Sequence, residues 1–269
     1  MKIDRHFLVR CLGFRGAMLH GDPMVADRWR FLRRWLPKVR DGQTLMDVGC
    51  GSGTFTIGAA RRGYQAIGLS WDEKNQRTAT ERSAICGVPH TRFPVQDARR
   101  LDESRELREA FDVIVNFENI EHILDDRKLM LDMASCLRPG GWLIQTAPYY
   151  LFNPITALEI GPFSKTEDGG HVRRGYTAAM LKELCADAGL IIEEISSCSG
   201  FISQKLTWLL RVGGTPAWFL SLPLRVLPRL LDPSIKWLTG YRDYSICLVA
   251  YKPRFGTRCG TPVELHRSG

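Results

Sequence analysis

Leu45-Met46-Asp47-Val48-Gly49-Cys50-Gly51-Ser52-Gly53-Thr54 is the stretch on which the reading of this chain turns. An apolar run ends in a loop with glycine at alternate positions, and a helical pattern opens at Thr54. Glycine there permits positive φ and close approach of the backbone to a ligand, while the helix N-terminus offers free N–H groups. The turn reads as a ligand cradle at the end of a buried strand. A bare Gly-x-Gly-x-x-Gly would serve a dinucleotide enzyme equally well. Here the spacing is Gly49-x-Gly51-x-Gly53, and Asp47 stands two residues ahead of the first glycine. A carboxylate there repels a pyrophosphate and suits a ligand with cationic groups.

Outward from this turn, short apolar β-branched runs alternate with helical patterns. Strands are expected over Thr44–Cys50, Gln65–Ser70, Thr91–Ala98, Phe111–Phe117, Gly141–Pro148, Ile191–Ser197 and Tyr244–Lys252. Helices are expected over Thr54–Arg62, Lys74–Cys86, Arg105–Glu109, Asp125–Leu137 and Thr177–Ala188. Near-continuous apolar strands such as Val113-Ile114-Val115 suit a parallel sheet covered on both faces. The fold class is therefore α/β: a doubly wound, seven-stranded, mostly parallel sheet. Residues 41–200 and 244–253 form the core, 1–40 an N-terminal helical cap, 201–243 a helical insert between the last two strands, and 254–269 a flexible tail.

The glycine turn resembles the first motif of the class I S-adenosylmethionine-dependent methyltransferases, and residues 44–200 with the last strand resemble the small-molecule type 11 group. The resemblance implies S-adenosyl-L-methionine as cofactor, S-adenosyl-L-homocysteine as product and a Rossmann-like sheet. It assigns Asp47 to the methionine ammonium and Gly49, Gly51 and Gly53 to the amino-acid part and ribose; Cys50 reads as packing. Many members end the second strand in an acid that takes both ribose hydroxyls, whereas this chain has Ser70, a weaker neutral partner. Asp72 or water would have to compensate, although Leu-Ser endings resemble those of the cyclopropane fatty acid synthase-like and sarcosine or tocopherol methyltransferase branches. Trp71 either stacks on adenine or covers the sheet edge. Asp97-Ala98 resembles the motif that bonds the adenine amino group, and Asp97 equally reads as a helix cap.

In such a sheet, ligands gather at the carboxyl ends of the strands. Phe117-Glu118-Asn119-Ile120-Glu121-His122 resembles the family's Glu-x-x-Glu-His pattern. That places Phe117 at the cofactor and Glu118 or Asn119 toward cofactor or acceptor, with Glu121 and His122 either catalytic or fixing the loop. Tyr149 and Tyr150 would wall an apolar or sugar-stacking acceptor pocket. Gly170-His171-Val172-Arg173-Arg174-Gly175-Tyr176 resembles a stretch that closes over the site in the type 11 group. His171 is the candidate base for a hydroxyl, with Glu118 and Tyr149 beside it, and Arg173 or Arg174 would hold an anionic acceptor or else bond backbone carbonyls. The implied reaction is methyl transfer to a small molecule, most simply to a hydroxyl of a natural product or sugar-like acceptor. The alternatives are a lipid-linked or quinone-like acceptor at a membrane surface, and a cofactor-binding scaffold without activity, which Ser70 favours.

Composition bounds the rest. The chain has 269 residues, 44% hydrophobic and 25% charged, with a formal net charge of +8. That excludes a disordered or collagen-like chain and a disulfide miniprotein. Residues 1–40 carry 10 basic and 3 acidic side chains, residues 41–200 carry 17 and 23, and residues 201–269 carry 10 and 3. The core is acidic and the ends are basic. Five tryptophans, Trp29, Trp35, Trp208, Trp218 and Trp237, share those ends. Ser203–Leu238 reads as short amphipathic helices broken by Pro216, Pro223, Pro228 and Pro233: a lid or dimer surface, an interfacial membrane segment, or a nucleic-acid surface. The absence of an Asn/Asp-Pro-Pro-Tyr/Phe motif or a Pro-Cys pair after strand four argues against nucleic acid. The eight cysteines never fall closer than 12 apart, so no Cys-x-x-Cys spacing exists and no metal set is expected. A start without an apolar run argues against a signal peptide, and the thiols suit a reducing cytoplasm.

Overall fold

The computed structural model describes residues 6–36, 38–39 and 42–254. The expected tail beyond Arg254 and the first five residues of the cap lie outside the described residues. Seven strands form one sheet: β1 (Thr44–Val48), β2 (Gln65–Leu69), β3 (Thr91–Arg92), β4 (Phe111–Phe117), β5 (Leu137–Pro148), β6 (Ile191–Cys198) and β7 (Ser245–Tyr251). Their order is β3-β2-β1-β4-β5-β7-β6. All neighbours are parallel except β7, which runs antiparallel to both β5 and β6. The chain reverses direction across the sheet at β1 and β4, so their carboxyl ends flank the crevice where a ligand is expected.

Side-chain alternation divides the core between the two faces. Met46, Val48 and Ile114 pack with α6 (Asp126–Cys136) and α7 (Ala178–Asp187) through Leu129, Met133, Leu181 and Leu184. On the opposite face Leu45, Val113, Val115 and Phe117 meet α3 (Pro23–Trp35) and α4 (Thr54–Ala60) through Phe31, Leu32, Trp35 and Ala59. The cap thus supplies a layer of the core. It consists of α1 (Phe7–Leu12), α2 (Phe14–His20) and α3, the last capped by Asp22, whose carboxylate accepts from Val25 N, with Pro23 opening the first turn.

Three elements differ from the sequence expectation. The third strand stops at Arg92, because Pro94 has no N–H for the ladder and Asp97 already caps a 3₁₀ turn over Ala98–Glu103; only a bridge from Val95 to Ser70 continues it. The helix expected at Arg105–Glu109 is a single 3₁₀ turn, Arg105–Leu107. β5 begins four residues early, at Leu137, after a register shift between Phe111 and Val113.

The insert forms α8 (Phe201–Leu224) and α9 (Leu227–Thr239). The prolines do not break it. α8 breaks at Gly214, whose φ is +56, so that Pro216 falls in the first turn of the second half; Pro228 likewise sits in the first turn of α9, where proline is tolerated. Gly200 gives α8 no side-chain cap, and Asp232 of α9 instead accepts from Ile202 N at 2.6 Å and Ser203 N at 3.3 Å. The insert is tied to the cap: Trp218 Nε1 donates to Leu19 O at 3.1 Å, and Arg225 Nη1 to Leu19 O and Gly21 O at 3.0 and 2.9 Å.

Candidate active site

β1 runs straight into the glycine turn, and Gly49, Gly51 and Gly53 all take positive φ, +75, +51 and +79. The spacing therefore reflects backbone need. A Cβ at Gly49 would lie 2.3 Å from Asn119 Oδ1, and one at Gly53 would lie 2.7 Å from the Ala79 Cβ, so both are held close by neighbours. A Cβ at Gly51 would meet nothing within 4 Å. Only the middle glycine faces open space.

Beneath this turn Asp47 is 1% exposed and accepts from Thr56, whose Oγ1 lies at 2.7 Å. No cationic side chain pairs with it among the described residues. Burial drives its carboxyl up to about 6. Across the turn, Asn119 Nδ2 is buried without a partner among the described residues. An unpaired buried carboxylate and an unused amide beside an open glycine cradle fit a ligand that brings an ammonium and hydrogen-bond acceptors. Cys50 is buried against Gly68 and bonds Gln76 Oε1 at 3.3 Å, a packing role.

The flanking candidates lie round the same edge. Ser70 Oγ accepts from Asp72 N at 3.2 Å, while Asp72 Oδ1 caps α5 (Glu73–Ile85) by accepting from Lys74 N and Asn75 N. Trp71 is 62% exposed, near Gly169. Asp97 caps its 3₁₀ turn through Arg99 N, and both of its oxygens accept from the Arg99 guanidinium, which holds the carboxyl below its usual range. Arg99 also reaches Glu167 at 2.6 Å, tying the buried Ala98 turn to the segment before His171. The Phe117 ring points away from the crevice, into the core between Phe31 and Phe55. At that position only the main chain is near the sheet edge.

Glu118, one residue beyond β4, has φ +47, an uncommon conformation for a residue with a side chain. Its carboxylate forms an ion pair with Arg28 Nη2 at 3.2 Å and accepts from Ser245 Oγ at 3.0 Å. Arg28 lies on α3 and is buried, so the cap furnishes the counter-ion for the acid at the strand-four end. Further out, Glu159 accepts from Arg211 of α8 and from Tyr244 Oη at 3.4 Å, which brings the insert to this edge.

The 3₁₀ turn Ile120–His122 and the segment around His171 come together. Glu121 is 1% exposed, neither carboxylate oxygen has a hydrogen-bond partner among the described residues, and burial raises its carboxyl well above the usual range. His122 Nδ1 lies 3.0 Å from Gly170 O, and its Nε2 lies 4.0 Å from Glu121 Oε1. The His171 ring meets His122 edge-on, centroids 4.7 Å apart, and burial with His122 lowers it to about 4. Arg173 is spent on the scaffold, pairing with Asp126 and donating to Ile123 O and Leu124 O at 2.7 and 2.8 Å. Arg174 donates to Phe152 O at 3.3 Å and covers the Tyr150 ring. Tyr149 is half-buried, its N–H donating to Tyr244 O at 2.7 Å.

The sequence did not single out Arg28, Glu159 or Arg211. Each pairs with a residue 50 or more positions away, and no local pattern marks such a partner.

Comparison with known proteins agrees with this geometry. The sequence profile of a family described as a methyltransferase domain matches residues 24–195. A ubiquinone biosynthesis O-methyltransferase of Rhizobium etli is 33% identical over 107 residues, 39% of this chain and 41% of that protein. One of the same name from Caulobacter vibrioides is 34% identical over 121 residues, 45% of this chain and 47% of that protein. The chain thus spans less than half the length of these curated relatives. Among solved structures, the Haemonchus contortus phosphoethanolamine N-methyltransferase 2 with S-adenosylhomocysteine superposes with a TM-score of 0.64 at 20% identity, covering 93% of this chain and 60% of that one. The [4+2]-cyclase SpnF is also similar, TM-score 0.60 at 21% identity, covering 86% and 82%. Such likenesses establish the fold, and the cyclase illustrates that the fold alone does not fix the reaction.

Proposed function

The chain belongs to the methyltransferase domain family, and on that premise we propose that it transfers the methyl group of S-adenosylmethionine to a hydroxyl oxygen of a small-molecule acceptor, releasing S-adenosylhomocysteine. The observation that carries this reading is Asp47, a buried carboxylate without a cationic partner among the described residues, beneath a turn open only at Gly51. The cofactor supplies an activated methyl group; the chain supplies binding and orientation.

Asp47 holds the cofactor's ammonium, and the N–H groups of the turn from Gly49 to Gly53 hold its amino-acid end. Ser70 and Trp71 flank the ribose and adenine, with the Asp97-Ala98 turn at the adenine edge and Phe117 contributing main chain only. On the acceptor side, Glu118 is fixed by Arg28 and Ser245 and orients an acceptor. Tyr149 and Tyr150 form a wall. His171, at about 4, is neutral near pH 7 and presents a lone pair, but such an imidazole is a weak base. Its role is to accept the acceptor's hydrogen bond and aim the oxygen. Methyl transfer gains chiefly from orientation and proximity, so a modest base is compatible with it.

A second reading concerns the acceptor. The curated relatives are named for ubiquinone biosynthesis, and the insert exposes Val212, Phe219, Leu220, Leu230, Trp237 and Leu238. Both favour an apolar, quinone-like acceptor taken at a lipid surface. Among the described residues no helix is long and apolar enough to cross a membrane, so any contact would be interfacial.

Incubation with methyl-labelled S-adenosylmethionine and hydroxylated acceptors, from sugars to polyprenylated catechols, tests the proposal. Label should enter a small-molecule fraction as an ether, and Gly51→Val should abolish it. Label confined to protein or nucleic acid, or incorporated nowhere, would overturn it.

A further inference from the structure

We propose that Cys198 and Cys247 are an oxidation site for hydroperoxides, in which Cys198 attacks the peroxide and Cys247 then closes a disulfide with it. The two thiols lie on the sheet face that packs against α3, the face that also carries Phe117 and Val249. β6 and β7 are antiparallel neighbours, with Cys198 opposite Ser245 and Ser196 opposite Cys247, so the cysteines are a diagonal cross-strand pair. Their sulfurs are 3.5 Å apart.

The surroundings divide the labour between the two. Cys198 Sγ accepts from Cys247 Sγ at 3.5 Å and from Ser199 Oγ at 3.8 Å, and Ser199 takes the uncommon φ of +69 in doing so. A sulfur that accepts from both neighbours is oriented as the nucleophile, and the thiol that donates to it keeps its proton. Access agrees. Cys198 is half-buried and within reach of a small oxidant, whereas Cys247 is wholly buried, and that burial pushes its thiol well up.

Two further groups lack a use that a peroxide would supply. Arg28 Nε and Thr146 Oγ1 are buried without a hydrogen-bond partner among the described residues, a cost that folded proteins rarely leave uncompensated. The Arg28 guanidinium acts on the charges of both thiols. Thr146 stands opposite Cys247 on β5 and so shares its face of the sheet. Both are donors, and the oxygens of a hydroperoxide are acceptors.

With hydrogen peroxide as oxidant the step balances. The Cys198 sulfur forms a bond to one peroxide oxygen as the O–O bond breaks, and the departing oxygen takes the thiol proton and leaves as water. The Cys247 sulfur then bonds to Cys198, the S–O bond breaks, and the second oxygen leaves as water with the Cys247 proton. Two thiols are oxidised to one disulfide and one peroxide is reduced to two waters.

Closing a disulfide from 3.5 Å to a bond of about 2.0 Å draws the end of β6 toward β7. β6 is the edge strand, bonded to β7 alone, so it is the side free to move. Ser245, opposite Cys198, donates to Glu118, and Gly200, two residues past Cys198, leads into α8. Resting on the methyltransferase reading, oxidation therefore disturbs the acceptor end and the root of the insert and leaves the turn at Gly51 alone.

The test treats the reduced full chain with hydrogen peroxide, blocks free thiols by alkylation and maps the peptides by mass spectrometry with fragmentation. A Cys198–Cys247 disulfide should form and be reversed by dithiothreitol. With dimedone present, Cys247→Ala should accumulate label on Cys198 at least tenfold faster than on the more exposed Cys11, and Cys198→Ser should give neither that label nor the disulfide. Because the wild-type map needs no variant, a variant that fails to fold leaves the site testable. Oxidation of Cys11 first, with Cys198 and Cys247 both still alkylated, overturns it. Oxidised wild type should also lose at least fivefold in methyl transfer, with S-adenosylhomocysteine affinity unchanged and Cys198→Ser insensitive; full activity in the disulfide form overturns the link to the acceptor end. A disulfide in a protein that methylates no acceptor supports the site and counts against the function, and methyl transfer by a protein that never forms the disulfide does the reverse.

Discussion

Asp47 carries a charge that the folded protein leaves without a cation, and this gives it a pH signature. Its carboxyl is raised from 3.8 to about 6. Between those values the folded chain keeps a proton that the unfolded chain has released, so stability falls as pH rises through this window and the full cost is present above it. A shift of this size corresponds to about 3 kcal/mol. Asp47→Asn is expected to raise the Tm of the ligand-free protein at pH 7.5 by several degrees and to weaken S-adenosylmethionine binding at least tenfold. The Tm advantage should shrink toward pH 4.5. A variant less stable than the wild type at every pH would contradict this account. At the same scale, the glycine turn was legible because its chemistry is local: three glycines and an acid within seven residues. Asp97 was legible only as two alternatives. Its cap and its Arg99 pairing are formed, so any adenine contact must share the carboxylate with a guanidinium.

β4 shows why an element could be placed correctly and one of its residues misread. Its bounds, Phe111–Phe117, coincide with the expectation, but Phe117 shares a face with Val113 and Val115 and is buried against α3 and α4. Two-residue alternation would have given that direction. The Arg28–Glu118 pair had no such signal, because 90 positions separate its members. It joins α3 to the end of β4 with both partners largely out of solvent. Arg28→Met should cost about 3–5 kcal/mol in urea denaturation by stranding the Glu118 charge, and adding Glu118→Gln should recover much of the loss. A double variant no more stable than the single one would show that Arg28 acts by packing alone. Within the insert, Asp232→Ala removes the cap that α9 lends to α8 and should cost about 1 kcal/mol, with faster hydrogen exchange at Ile202 and Ser203.

Over the whole molecule, the uneven charge acquires a place. The basic cap and basic insert lie against one another through Trp218, Arg225 and Leu19, and the insert exposes its apolar side chains beside Arg229 and Lys236, with Trp237 83% exposed. That combination favours a lipid surface with anionic headgroups. The protein is expected to sediment with phosphatidylglycerol vesicles at low salt, less so at 0.5 M salt, and hardly at all after Trp237→Ser with Leu238→Ser. Protein that stays in the supernatant at low salt would remove the membrane reading and leave the soluble acceptor. The central claim rests at the other end of the crevice, on a cofactor held by Asp47 and the turn around Gly51. Calorimetric titration with S-adenosylhomocysteine tests it most directly. One site per chain is expected in the wild type, weakened at least tenfold by Asp47→Asn and lost in Gly51→Val. No heat of binding in the wild type, or equal affinity in all three proteins, would contradict it.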